Sequence, residues 1–376
     1  MAQGWFTAED LLRVAKRHNN KKRKYILVNP CQGKHIPVSP TVALSMMQTL
    51  GEKIAAKYGE TRLVIGFAET ATAIGAVVAN AVSEKCIYIQ TTREPLLGEH
   101  LEFLEEHSHA PEQIIATGKL GGWLERTDTV VFVDDEISTG KTLCNIVAKL
   151  KAEFPALSEK KLVAASILNR LSFEDEVRLK AAGLVSEYLV KLPQEDYTTL
   201  VDNFQAREAE LAPSGKDCHY ERHMIQARQD PRQGTVSGEY FRECEGHADE
   251  ILGALSLDFT LDTLVLGTEE CMLPGLVLGR ALEKRGTKTY FHATTRSPIS
   301  ICKEVGYPIR NGWEIKSLYD SKGSRRNYIY NLRAYPQVII LSDTALPEEN
   351  LIQGMLGALR ENGCGKVFFI GRLGDV

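Results

Sequence analysis

Two adjacent carboxylates, Asp134 and Asp135, close an apolar run of Val130, Val131, Phe132 and Val133. Shortly after them a hydroxyl- and glycine-rich turn, Ser138, Thr139, Gly140, Lys141 and Thr142, opens onto a helical pattern. Paired carboxylates at the end of a buried strand can accept from vicinal hydroxyls, directly or through a metal. The turn offers backbone N–H groups, hydroxyls and the positive end of a helix dipole to a phosphate. Together these parts suit a ribose that carries a phosphate. The Gly140-Lys141-Thr142 ending is also that of a nucleotide P-loop, but that motif needs a glycine five positions before Gly140, and Asp135 stands there. A carboxylate in that cradle would repel a polyphosphate. A strand end with a helix cap accounts for one or two of these residues, since Asp, Ser and Thr are ordinary caps, but not for the whole set.

The elements that must position this set follow from hydrophobic period. Strands are expected at 25–29, 62–67, 86–90, 129–133, 161–168 and 187–192, and helices at 41–57, 71–82, 139–151 and 174–182. Strands alternating with helices predict an α/β fold with a parallel sheet. Residues 91–125 are polar and lack a period of their own. Residues 193–235 lose the rhythm, so the chain divides into a domain of 1–195, a linker of 196–235 that includes a helix near 200–211, and a domain of 236–376.

The second domain echoes the first. Leu63-Val64-Ile65-Gly66 returns as Leu264-Val265-Leu266-Gly267, and Thr91-Thr92-Arg93 as Thr294-Thr295-Arg296. Val130-Val131-Phe132-Val133 returns as Val338-Ile339-Ile340-Leu341, and Lys161-Leu162-Val163 as Lys366-Val367-Phe368. The order is kept each time. Where the first copy has Asp134-Asp135 and the phosphate turn, the second has Ser342-Asp343, then Thr344, Ala345, Leu346, Pro347, Glu348 and Glu349. With no Thr-Gly pair and two glutamates, the second copy is expected to have lost the phosphate site.

The run from Val130 to Thr142 resembles the signature of the type I phosphoribosyltransferases, enzymes that use phosphoribosyl pyrophosphate (PRPP). Together with residues 66–72, with Gly267-Thr268-Glu269-Glu270 and with residues 294–298, it resembles a bacterial family in which an orotate-type phosphoribosyltransferase domain precedes a degenerate C-terminal domain of the TRSP type. That family occurs in tellurite-resistance-associated gene clusters proposed to make a nucleoside-like metabolite. The resemblance implies a parallel-sheet type I phosphoribosyltransferase fold followed by a degenerate α/β repeat of it.

It also implies roles. Asp134 and Asp135 would hold the ribose hydroxyls, with Mg²⁺ directly or through water, and Ser138, Thr139, Gly140, Lys141 and Thr142 the 5′-phosphate. Glu69, Thr70, Ala71 and Thr72, after the strand at 62–67, would form the pyrophosphate loop, although a Thr cap with small residues for packing reads the same. Glu69 beside an anionic ligand itself calls for Mg²⁺. Thr92 and Arg93 would meet the pyrophosphate. The polar stretch after them corresponds to a mobile loop that closes over the site, and its His107 and His109 are candidate general acids. Lys34 and His35 would help form the hood that contacts the acceptor. An Asp at the place of Ser138 is usual in purine-salvage members. Its absence favours a pyrimidine-like or other small heterocyclic acceptor. The same motif occurs in PRPP-sensing regulators, so a non-catalytic sensor is the alternative. A homodimer is implied by the family.

Composition narrows the partners. With 376 residues the chain exceeds one comfortable core. A net charge of −4 offers no basic surplus for nucleic acid. The eight cysteines show no C-x-x-C pair or zinc spacing, and no apolar stretch approaches the ~18 residues of a membrane helix. The start has no signal-peptide order. A cytoplasmic protein with reduced thiols is expected. One further polar stretch, 319–327, is glycine-bearing and basic and reads equally as a site for an acidic ligand or as a surface loop.

Overall fold

Leu63, Val64, Ile65 and Gly66 are all buried, as a strand in the interior of a parallel sheet must be. The computed structural model, which describes residues 6–20, 23–104, 112–320, 322–344 and 347–373, sets this strand between Ile87–Gln90 and Thr129–Ile137. Lys161–Asn169 and Leu184–Lys191 follow outward, all five strands parallel. Thr235–Val236 closes the opposite edge, antiparallel to Ile87–Gln90. The helices Thr72–Val82 and Lys141–Glu153 lead from the carboxyl ends of their strands, and Leu143, Ile146, Val147 and Leu150 of the latter join one apolar cluster with Leu63, Ile65, Val130 and Phe132.

The second sheet repeats the inner four parallel strands of the first and adds a fifth from an earlier part of the chain. Thr263–Gly267 lies between Thr289–Ala293 and Gln337–Leu341, with Lys366–Leu373 and then Glu221–Gln226 outward, all parallel. Each copy also carries an antiparallel hairpin, His100–Leu104 with Glu112–Ala116 in the first and Gly312–Lys316 with Arg326–Tyr330 in the second. The repeat reaches single bonds. Thr91 N–H donates to Gly66 C=O at 2.9 Å, as Thr294 N–H does to Gly267 C=O at 3.0 Å. The Thr91 hydroxyl accepts from Ala68 N–H at 2.8 Å, as the Thr294 hydroxyl accepts from Glu269 N–H at 2.9 Å.

The compact units part after Glu195 but not at 236, and each takes more than one stretch of chain. The first is built mainly from Leu44–Glu195 and Gln229–Glu243, the second from Glu9–Ala43, Asp196–Arg228 and Cys244–Val376. The N-terminal hairpin, Arg13–Lys16 with Tyr25–Val28, buries Ala15, Ile26 and Val28 among Ile299, Ile301, Tyr307 and Tyr330, which places it in the second unit. The expected linker is structured as well. It supplies an edge strand to each sheet, and the helix expected near 200–211 is the short Thr198–Asp202. Edge strands are short and half exposed, so their polar residues hide them from a search for hydrophobic period.

Two further corrections bear on the site. The strand expected at 129–133 runs to Ile137, because Asp134, Glu136 and Ile137 pair with Ser166, Leu168 and Asn169 of an equally long neighbour. The stretch 91–125 is not structureless: besides its hairpin it holds the helix Leu120–Glu125, and Thr92 bridges Ile114.

Candidate functional site

The carboxylates lie on the last turns of pleat in Thr129–Ile137 rather than beyond it, half-buried, with Asp135 N–H donating to its neighbour Asp134 at 2.9 Å. Asp135 accepts from the Thr70 hydroxyl at 2.8 Å. The third acid, Glu136, sits 3.8 Å from the buried Arg170, which offsets its charge. Gly140 precedes the helix Lys141–Glu153 with φ +69, no side chain of the N-cap residue closes that helix start, and Lys141 N–H reaches the Thr139 hydroxyl at 3.5 Å. Arg178 donates to Thr139 C=O at 3.3 Å and so ties the turn to the next helix, Phe173–Ala181.

The loop after Leu63–Gly66 carries Glu69, buried, then Thr70, Ala71 and Thr72 at the start of Thr72–Val82, and the Ala68–Glu69 peptide is cis. The loop after Ile87–Gln90 carries Thr91 and Thr92, both buried, and Arg93, half-buried. Three expected motifs therefore meet at the carboxyl ends of three neighbouring parallel strands, the usual place for a ligand in a sheet of this kind.

His107 and His109 lie outside the described residues. Lys34 and His35 belong to the second unit, where both are buried. Lys34 Nζ donates to Glu269 C=O at 2.6 Å, and His35 C=O accepts from the Asn331 amide at 3.1 Å. The segment that holds them pairs Val38 with Phe291 and folds with the second sheet, which a reading of residue types alone does not reveal.

Two residues were not anticipated. Gln113, 1% exposed, donates to Ala68 C=O at 2.8 Å and accepts from the Thr91 hydroxyl, so it locks two of the three loops together. Its counterpart in the repeat is Asn327, whose amide reaches Thr294. Extending the repeat past Arg93 would have revealed it. Arg232, from the expected linker, donates to the Thr92 hydroxyl at 3.1 Å, and no sequence signal marks it.

In the second unit the corresponding groups bond to one another. Arg296 pairs with Glu269 at 2.9 Å, both nearly buried, and the Ser317 hydroxyl donates to the same carboxylate at 2.5 Å. Tyr319 donates to Asp343, the relic of the acid pair, and Glu349 at the helix start takes Arg222 at 2.5 Å. Among 319–327, Asp320 gathers Ser324 and Arg325, whose donors hold its carboxyl down at about 2. This loop edges a cavity of about 380 Å³ lined also by Leu211, Pro213, Ile315 and Lys316. Burial pushes His292, on Thr289–Ala293, down to about 4, so it is neutral near pH 7. Among the described residues no cluster of three or more His, Cys, Asp or Glu forms a metal cage, and no helix is long and apolar enough to cross a membrane.

Residues 11–192 match the family model of a phosphoribosyl transferase, and residues 240–359 match the TRSP domain found C-terminal to it. No curated protein matches the chain. Many solved structures resemble it, among them three phosphoribosyltransferases. The adenine phosphoribosyl transferase of Trypanosoma brucei, in complex with AMP, pyrophosphate and ribose-5-phosphate, is 18% identical over 40% of this chain and 65% of that one, with a TM-score of 0.31. The Giardia lamblia enzyme complexed with 9-deazaadenine is 15% identical over 49% and 96%, with a TM-score of 0.34. The orotate phosphoribosyltransferase of Aeropyrum pernix is 16% identical over 40% and 73%, with a TM-score of 0.27.

Proposed function

The chain belongs to the phosphoribosyl transferase family through residues 11–192, with a TRSP domain behind it, and we propose that it joins the ribose 5-phosphate of PRPP to a small, pyrimidine-like heterocycle with release of pyrophosphate. In that reaction a ring nitrogen of the acceptor bonds to C1′ while the bond from C1′ to the pyrophosphate oxygen breaks. The electron pair leaves with pyrophosphate, and the proton of the attacking nitrogen passes to solvent or a base. The ribose is cationic in the transition state. The protein therefore has to position, to stabilise the departing charge and to exclude water.

The observation that carries this reading is the meeting of three loops at neighbouring strand ends, closed by the Thr70–Asp135 bond of 2.8 Å. In our reading residues 138–142 bind the 5′-phosphate, Asp134 and Asp135 hold the 2′- and 3′-hydroxyls, and residues 70–72 with Thr92 and Arg93 receive the pyrophosphate. The donor set suits Mg²⁺, a hard cation that takes one or two carboxylates and completes its shell with water and substrate phosphate, which agrees with the lack of a protein-only cage among the described residues. Asp134 and Asp135 would hold it, and bound there it would neutralise charge on the leaving group. No described residue is assigned as the base. The immediate product keeps the 5′-phosphate and is nucleotide-like, a step that suits the biosynthesis of a nucleoside-like metabolite.

The test is titration of PRPP with Mg²⁺ into the wild type and the Asp134→Asn/Asp135→Asn double variant. Removing charge-assisted acceptors should weaken binding by about 10- to 100-fold. Equal affinity would sink the assignment. Pyrophosphate release with a panel of heterocycles then reads turnover: binding without release from any of them would favour a PRPP sensor.

A further inference from the structure

The end of the stretch between the two family matches, residues 231–237, is built into the first sheet. Gln90 N–H donates to Pro231 C=O at 2.9 Å, Thr235 and Val236 pair with Tyr88 and Ile87, and Ser237 N–H donates to Cys86 C=O at 2.8 Å. Gly234, at φ +79, lies so close to Trp123 that a Cβ would stand 2.2 Å from its ring. Between these anchors Arg232 is 8% exposed. Its Nε donates to the Thr92 hydroxyl at 3.1 Å, which also accepts from Glu94 N–H at 3.0 Å. One hydroxyl thus fixes the turn that carries Arg93, and the arginine holds the hydroxyl.

Ordering a guanidinium in a buried place costs conformational and hydration free energy, so its position is informative. The turn holds Arg93 and a buried acid, Glu94, and on the other side of Arg232 Asp230 accepts from its backbone N–H at 3.0 Å. From this geometry we propose that Arg232, a residue outside both family matches, is a positioning residue for the pyrophosphate of PRPP: it fixes the turn of residues 91–94 and adds buried positive charge beside it. This rests on the function proposed above.

The experiment uses the full chain and compares two ligands, PRPP and ribose 5-phosphate, which lacks the pyrophosphate. Arg232→Gln should weaken PRPP with Mg²⁺ by roughly tenfold, the loss of one charge-assisted bond, while ribose 5-phosphate binds as before. Thr235→Val, which strips the hydroxyl bonded to Gln229 from the same segment, should lower the unfolding midpoint and leave the ratio of the two affinities unchanged. Arg232→Lys keeps the charge and should recover part of the loss. If Arg232→Gln fails to fold, Arg232→Lys is read instead, with a shift of a few-fold in the ratio expected. A folded variant with an unchanged ratio, or with both ligands weakened alike, overturns the proposal. A wild type that binds no PRPP at all overturns the functional reading instead.

Discussion

Gly140 carries two independent constraints. Its φ of +69 is a conformation that residues with a Cβ adopt at a cost of about 1–2 kcal/mol. A Cβ there would lie 2.0 Å from Leu179 Cδ1, and Leu179 is itself buried. Overpacking of that kind costs about 1–3 kcal/mol. Gly140→Ala should therefore lower the unfolding free energy by ~2–5 kcal/mol, measured by urea titration, and should weaken the phosphate turn in proportion to how far it shifts. A loss below ~0.5 kcal/mol would mean that the turn relaxes freely and is no preformed cradle. At the same scale Asp134 and Asp135 show why residue types were readable and their surroundings less so: the pair stands out in the sequence, but the bond from the Thr70 hydroxyl to Asp135 comes from a loop 65 residues earlier.

The helix Phe173–Ala181 illustrates how an element distant in sequence from the motif supports it. Ser172 and Asp175 form a reciprocal capping box, with Asp175 N–H donating to the Ser172 hydroxyl at 3.1 Å. The same helix supplies Leu179 behind Gly140 and Arg178 to Thr139 C=O. Ser172→Ala should cost about 1 kcal/mol of stability and, through a frayed helix start, raise the dissociation constant for PRPP by a small factor. Unchanged binding with the full stability loss would show that the turn stands without its helix. Elements of this size were largely legible. The buried strands at 62–67, 86–90, 129–133 and 161–168 were placed within a few residues, because continuous apolar runs leave little choice. Illegible were the elements whose stability comes from partners far along the chain: the strand Arg13–Lys16 that pairs with the expected strand at 25–29, the Thr235–Val236 edge and the hairpin within 91–125. Their residues are polar on one side, and nothing local distinguishes them from loop.

At the scale of the molecule the chain contains the same sheet twice, and the contrast between the copies is a prediction. Both have a threonine at the second strand end and an arginine two residues on, yet in the second unit Arg296 is committed to Glu269, Asp343 accepts from Tyr319, and the helix start holds Glu349 paired with Arg222. A phosphate arriving there would have to break a nearly buried ion pair, which typically costs several kcal/mol when one partner is left behind, and would then meet carboxylate instead of free N–H. The first unit has Gly140, Thr139 and Thr142 at the equivalent helix start. Calorimetric titration of PRPP with Mg²⁺ should accordingly give one site per chain. The Asp134→Asn/Asp135→Asn double variant should reveal no residual tight binding, since no second cradle stands behind the first. Two sites of similar affinity, or a second site unmasked by the double variant, would mean that the TRSP-domain network opens to admit a ligand, and the loss inferred from Ser342 and Asp343 would be wrong.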